Sequence, residues 1–221
     1  MGFMTNQLGF LTNKRPMPPK QIFHCDTPNF MPCPDVWDWI KATFLNKESK
    51  LYNSDHQHLS LFDSYDIAVM WANGAYVKKG RYVVGTAEKV MVNSSDWKKR
   101  RHEEQMRTWF PVIIPEFIIT LEASYAEAVD DIAFCALVEH ELYHIAHKMN
   151  EFGCPMYSRS TGKPQLELRG HDVEEFVGVT RRYGIGNNKD LKRMVDAAMS
   201  KPEVARSDVH HACGTCYLKV V

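Results

Sequence analysis

The chain has 221 residues, of which 44% are hydrophobic, 24% charged and 11% aromatic. These proportions suit one folded domain with short appendages and exclude wholesale disorder, collagen-like repeats and coiled coil. Lys plus Arg and Asp plus Glu balance at 27 each, so no net field draws the chain to nucleic acid or anionic lipid, and either partner would need a local patch. Six cysteines are too few and too scattered for a disulfide scaffold, and in a reducing compartment they read as thiols or metal ligands. Apolar runs such as 112–114 and 117–121 fall short of a membrane span. The N-terminus places Lys14 and Arg15 after its apolar patch, unlike a signal peptide, and Asn6 breaks the myristoylation pattern. A cytoplasmic protein with no membrane partner is expected.

In chain order, residues 1–34 are proline-rich and without periodicity, an irregular lead-in or a strap laid over the domain. Asp35 can cap a helix running to about Tyr52, with Val36, Trp37, Ile40, Phe44 and Leu45 at helical spacing. Residues 66–77 and 81–92 are rich in Val, Ile, Tyr and Trp and read as a β-hairpin turning at 78–80. A charged stretch at 96–107 precedes Phe117–Leu121, a third strand. From about 125 to 150 the pattern turns helical, with Phe134, Val138, Leu142, Ile145 and Met149 forming one apolar stripe. Residues 151–170, with Gly153, Pro155, Gly162 and Pro164, predict a loop or lid holding one short hairpin around Thr161 and Gly162. Two further helices are predicted at 172–183 and 188–199, the first capped by Asp172. The fold class is therefore α+β, with one domain over 35–200 and a tail at 201–221.

The long helix carries His140-Glu141-Leu142-Tyr143-His144, an H-E-x-x-H match that points to zinc. Four residues advance an α-helix by about 400° and about 6 Å, so the two imidazoles stand one above the other and can converge on one ion. That face is separate from the apolar stripe. Glu141 lies about 100° round from His140, where its carboxylate can act as general base without being a ligand. A catalytic zinc needs a third protein ligand and an open position. His171, on a loop just before a predicted helix start, is the preferred third ligand, and Glu174 and Glu175 are the alternatives. His147 lies about 10 Å along the axis from His140 if the helix stays regular, too far to share the ion. The chemistry expected is amide hydrolysis of a protein or peptide substrate, with Glu141 moving the proton. Tyr143, Tyr157, His147 and Tyr183 stand open as donors to the developing oxyanion.

Gly85-Thr-Ala-Glu-Lys89, Phe117-Ile-Ile-Thr-Leu121, Ala136-Leu-Val-Glu-His-Glu-Leu-Tyr-His144 and His171-Asp-Val-Glu-Glu-Phe176 resemble the phage metallopeptidase family, a zincin-like group related in layout to SprT-like proteases. The likeness runs over 66–183, and its last two stretches are the chemically specific ones. It implies a small, mostly antiparallel sheet packed with the H-E-x-x-H helix, a later helix delivering the third ligand, and a phage or prophage origin. By analogy with zincins, an extended substrate would lie along a sheet edge, offered by Phe117–Leu121 or by the hairpin.

Two other constellations stand apart. Cys213 and Cys216 form a C-x-x-C turn, half of a structural zinc site, and Cys25 and Cys33 with His24 are the candidates for the other half. Their seven-residue gap is not a knuckle spacing, and a C-x-x-C without metal is the simpler reading. Trp97-Lys-Lys-Arg-Arg101 is a basic run with an aromatic, but Glu103 and Glu104 follow at once, which favours a solvated charged segment over a nucleic-acid site. The alternative to an enzyme is a zinc-stabilised binding protein acting on a host or viral partner, although such a module has no need of Glu141 between the ligands.

Overall fold

The computed structural model describes residues 14–24, 29–78, 81–90, 95–171, 185 and 189–205. Its elements follow in the order β1 (Phe30–Pro32), α1 (Pro34–Ile40), β2 (Ile67–Ala72), β3 (Tyr76–Lys78), β4 (Arg81–Val83), β5 (Gly85–Lys89), α2 (Asp96–Met106), β6 (Phe117–Glu122), α3 (Ala123–Ala128), α4 (Asp131–Tyr143), β7 (Ile145–His147), β8 (Leu166–Leu168) and α5 (Lys189–Met199).

β2 and β6 are apolar at consecutive positions, so each must be covered on both faces. They pair in parallel at the centre of a four-stranded sheet of order β1-β2-β6-β5, with Val69 opposite Ile119. β1 and β5 flank them antiparallel. On one face Val69, Trp71, Phe117, Ile119 and Leu121 share a core with Trp37 and Ile40 of α1 and Phe134, Leu137, Val138 and Leu142 of α4. The other face is covered at one end, where Ala68, Met70, Val90 and Ile118 meet Met106, Trp109, Phe110 and Ile114. The result is a mixed α/β structure with a small sheet and several helices. Among the described residues no helix is long and apolar enough to cross a membrane.

Several expectations are corrected. The first helix does not reach Tyr52: α1 ends at Ile40 and continues as one π-helical turn to Leu45, and Asp35 lies inside its first turn while Cys33 occupies the cap position. The predicted two-strand hairpin is divided. Only β3 and β4 pair across 79–80, and β2 and β5 are separated by β6, which inserts between them. Phe117–Leu121 is consequently an interior strand rather than an edge. The helix expected over 125–150 is two helices and a strand: Val129 is extended, Asp130 caps α4 by accepting from Ala133 N, and α4 stops at Tyr143. Ile145 is buried although its backbone is extended, so its apolar side chain fits the helical spacing beyond the true helix end. Met149 is half exposed and bridges to Pro155. Residues 151–170 do carry the expected short hairpin, with Tyr157 bridging Pro164 across the turn, and beyond it β8 pairs with β7, which the sequence reading leaves as loop. The tightest point of that turn is Gly162, whose φ of 68° suits glycine. The charged stretch is α2, which buries no residue and carries an Asp96–Arg100 pair at 3.1 Å. The 172–183 helix lies outside the described residues.

The lead-in is a strap where it is described. Ile22 is fully buried, and Arg15 reaches the junction of α3 and α4. Its guanidinium donates to Ala126 O at 2.6 Å, to Val129 O at 2.7 Å and to Asp131 Oδ1 at 2.7 Å. Asp131 is 42% exposed, so solvent screens the ion pair and the two carbonyls account for most of the stabilisation. Arg15→Met keeps the aliphatic stem and removes these donors; it is expected to lower the unfolding free energy by about 2–4 kcal/mol, read from the midpoint of urea denaturation.

Candidate metal centre

α4 brings its polar residues to one place because its core residues allow only one orientation against the sheet. Phe134, Leu137, Val138 and Leu142 are fully buried, and with them Glu141 is 0% exposed. The contact that admits Glu141 is made by Gly85 at the start of β5. A Cβ built there would stand 2.7 Å from Glu141 Oε1 and 2.8 Å from Leu137 Cδ1, so the carboxylate occupies space that any other residue at 85 would fill.

His144 closes the helix in right-handed helical conformation, its N–H bonded back into α4, and the chain then turns directly into β7. β7 pairs with β8, placing Ile145 opposite Leu168. Arg169 follows β8 and meets His144 twice: its N–H donates to His144 O at 2.9 Å, and its carbonyl accepts from His144 Nδ1 at 2.8 Å. A carbonyl can only accept, so Nδ1 carries a proton, and in the neutral ring the lone pair is then on Nε2. Two residues later His171 arrives beside His140, with the two Nε2 atoms 3.4 Å apart.

His140, His144 and His171 each offer a ring nitrogen within 4.8 Å of the others. Two imidazoles on a tetrahedral zinc, with bonds of about 2.0–2.1 Å, have donor atoms about 3.3 Å apart. The His140–His171 spacing matches this, and the Nδ1 bond of His144 is the outer support that metal-binding histidines ordinarily have. The three-imidazole donor set suits zinc, so the residues present fit the ion. His171, the residue expected to join the pair from the helix, lies beside His140 and His144. The alternatives Glu174 and Glu175 lie outside the described residues, as do Tyr183, Cys25, Cys213 and Cys216. Cys33 is buried, and burial pushes its thiol well above the ordinary range. Cys135 is a small buried side chain of α4, its thiol pushed up to about 12, chiefly by burial.

His147 is not on the helix; it lies in β7, donates from Nε2 to Met156 O at 2.8 Å and meets the Tyr157 ring edge-on at 5.0 Å. Tyr143 points to the 53–55 segment, where its hydroxyl accepts from Asn53 and donates to Asp55. Burial, chiefly, pushes that hydroxyl up to about 12. A cleft of about 550 Å³ bordered by Tyr76, Thr86, Thr120 and Glu122 lies on the sheet face away from α4 and includes none of the three histidines. Gly85 and the Arg169 carbonyl are the site residues that motif reading missed. A lone glycine in a strand is a signal of close approach, whereas a main-chain acceptor leaves no signal in residue identity.

A mixed α/β frame with three convergent imidazoles beside a buried carboxylate defines a candidate metal protein. The model of the family described as "Putative phage metallopeptidase" matches residues 37–199, and the chain belongs to that family. No curated protein and no solved structure matches it.

Gly85→Ala tests the packing that admits Glu141. It is expected to lower stability by about 1–3 kcal/mol in denaturant unfolding, because both atoms it meets belong to fully buried side chains.

Proposed function

We propose that this protein is a zinc-dependent peptidase of zincin-like fold, encoded by a phage or prophage, that hydrolyses amide bonds in a protein or peptide substrate. The observation that carries the reading is the convergence of His140, His144 and His171 beside the buried Glu141. The family description supports a metallopeptidase, and the donor set supports zinc.

His140, His144 and His171 would hold the ion, with His144 oriented through its Nδ1 bond to Arg169. A zinc ion held there supplies Lewis acidity, acidifying water and polarising an amide carbonyl. Glu141 takes a proton from the attacking water and passes it to the departing amine nitrogen as the carbon–nitrogen bond breaks. Its burial gives that proton a defined carrier.

The test uses metal content and hydrolysis together. Glu141→Gln is expected to retain one equivalent of zinc and lose about 10²–10⁴-fold in turnover of a peptide library, while His140→Ala, His144→Ala and His171→Ala lose the metal. A Glu141→Gln protein that cleaves as well as wild type sinks the peptidase mechanism and favours a zinc-stabilised binding protein instead.

A further inference from the structure

The chain leaving α4 is held from outside by the 3-10 turn Ser54–Leu59 and the residue before it. Asn53 Nδ2 donates to Glu139 Oε1 at 2.6 Å and to the Tyr143 hydroxyl at 3.0 Å, and that hydroxyl donates to Asp55 Oδ2 at 2.9 Å. His56 is 1% exposed, meets the Tyr143 ring at 4.4 Å and has Nε2 3.6 Å from Glu139. These contacts grip the last turns of the helix.

His58 grips what comes next. Its Nε2 lies 2.8 Å from the carbonyl of Ile145, the first residue beyond His144, and its Nδ1 lies 3.1 Å from the carbonyl of Asp55 in its own turn. Both neighbours only accept, and the shorter contact assigns the proton of a neutral ring to Nε2. Burial, chiefly, holds the His58 pKa below its ordinary value, so at neutral pH the ring is uncharged. The carbonyl it holds belongs to the residue at which helix becomes strand. From there main-chain bonds lead onward: Ile145 pairs with Leu168, Arg169 closes on His144, and His171 follows two residues later.

We propose that His58 is a positioning residue for the metal centre: by holding Ile145 O it fixes the helix-to-strand turn and thereby the placement of His171 against His140 and His144. The inference rests on the three-imidazole reading of the site. It assigns His58 no contact with substrate or metal, and its effect is on geometry transmitted through β7 and β8. Outer partners of this kind characteristically change metal affinity when removed.

The experiment titrates the full-length protein with cobalt(II) alone and reads affinity and visible absorption, whose intensity and position report coordination geometry. Wild type is expected to bind one equivalent with the intense bands of a four-coordinate site. His58→Leu, which keeps bulk and removes the donor, is expected to bind about 10-fold or more weakly with altered bands, while the far-UV spectrum of the metal-free protein stays that of wild type. His58→Gln, whose amide can donate to the same carbonyl, is expected to recover both. Should leucine cost the fold, His58→Asn, polar but shorter, takes its place with the same expectation. A folded Leu or Asn variant with wild-type affinity and bands overturns the proposal and leaves the metal centre standing, as does a Gln variant no better than Leu. Wild type that binds no cobalt overturns both.

Discussion

His144 and Arg169 are joined by a reciprocal pair of bonds, one from main chain to main chain and one from an imidazole to a main-chain carbonyl. Much of the site depends on this closure. The helix presents two histidines by its own periodicity, but it offers no third donor on the same face at a usable distance. The closure folds the returning strand back onto the helix end and sets which tautomer His144 adopts. His171 then needs only the length of two residues to reach His140. One local constraint thus orders a side chain from the helix and delivers another from a segment more than 25 positions away.

The carboxylate is placed by a different kind of constraint. Glu141 fits because β5 begins with a residue that has no side chain, which leaves room for the carboxylate between α4 and the sheet. Burying a carboxylate is costly unless it is served by its surroundings, so a fold that keeps one at 0% exposure in its main core is organised around it. The same core residues that fix the rotation of α4 fix the carboxylate's direction, which makes stability and site geometry two readings of one packing arrangement.

The chemistry of the site was more legible in the sequence than its scaffold. His140 and His144 are written into a helical spacing, and His171 stands out as an imidazole on a loop just before a predicted helix start. The strands at 67–72 and 117–122 are also visible, but the sequence pairs the first with 81–92 and leaves the second without a partner, whereas the two pair with each other. Both are apolar at consecutive positions, the mark of strands covered on both faces, whereas Gly85–Lys89 alternates in burial as an edge strand does. Weighing that contrast would have put β6 at the centre. The helix end at Tyr143 was not legible, because Ile145 satisfies an apolar stripe in either conformation, and what ends the helix is the pairing of Ile145 with Leu168, a contact across 23 positions. Strand pairing at that range is decided by the assembled core, not by neighbouring residue types.

The strap has a consequence for where this protein's cooperative unit begins. The family match starts at residue 37, yet Arg15 ties together the two helices that precede and carry the motif, Ile22 is sealed in the main core, and β1 forms one border of the sheet. A polypeptide trimmed to 37–199 would retain every imidazole of the centre while exposing the flank of β2 and leaving the Ala126 and Val129 carbonyls to find water. The segment that carries the family's signature is therefore smaller than the segment that folds as one body, and a motif-bounded fragment would report on an opened version of the molecule.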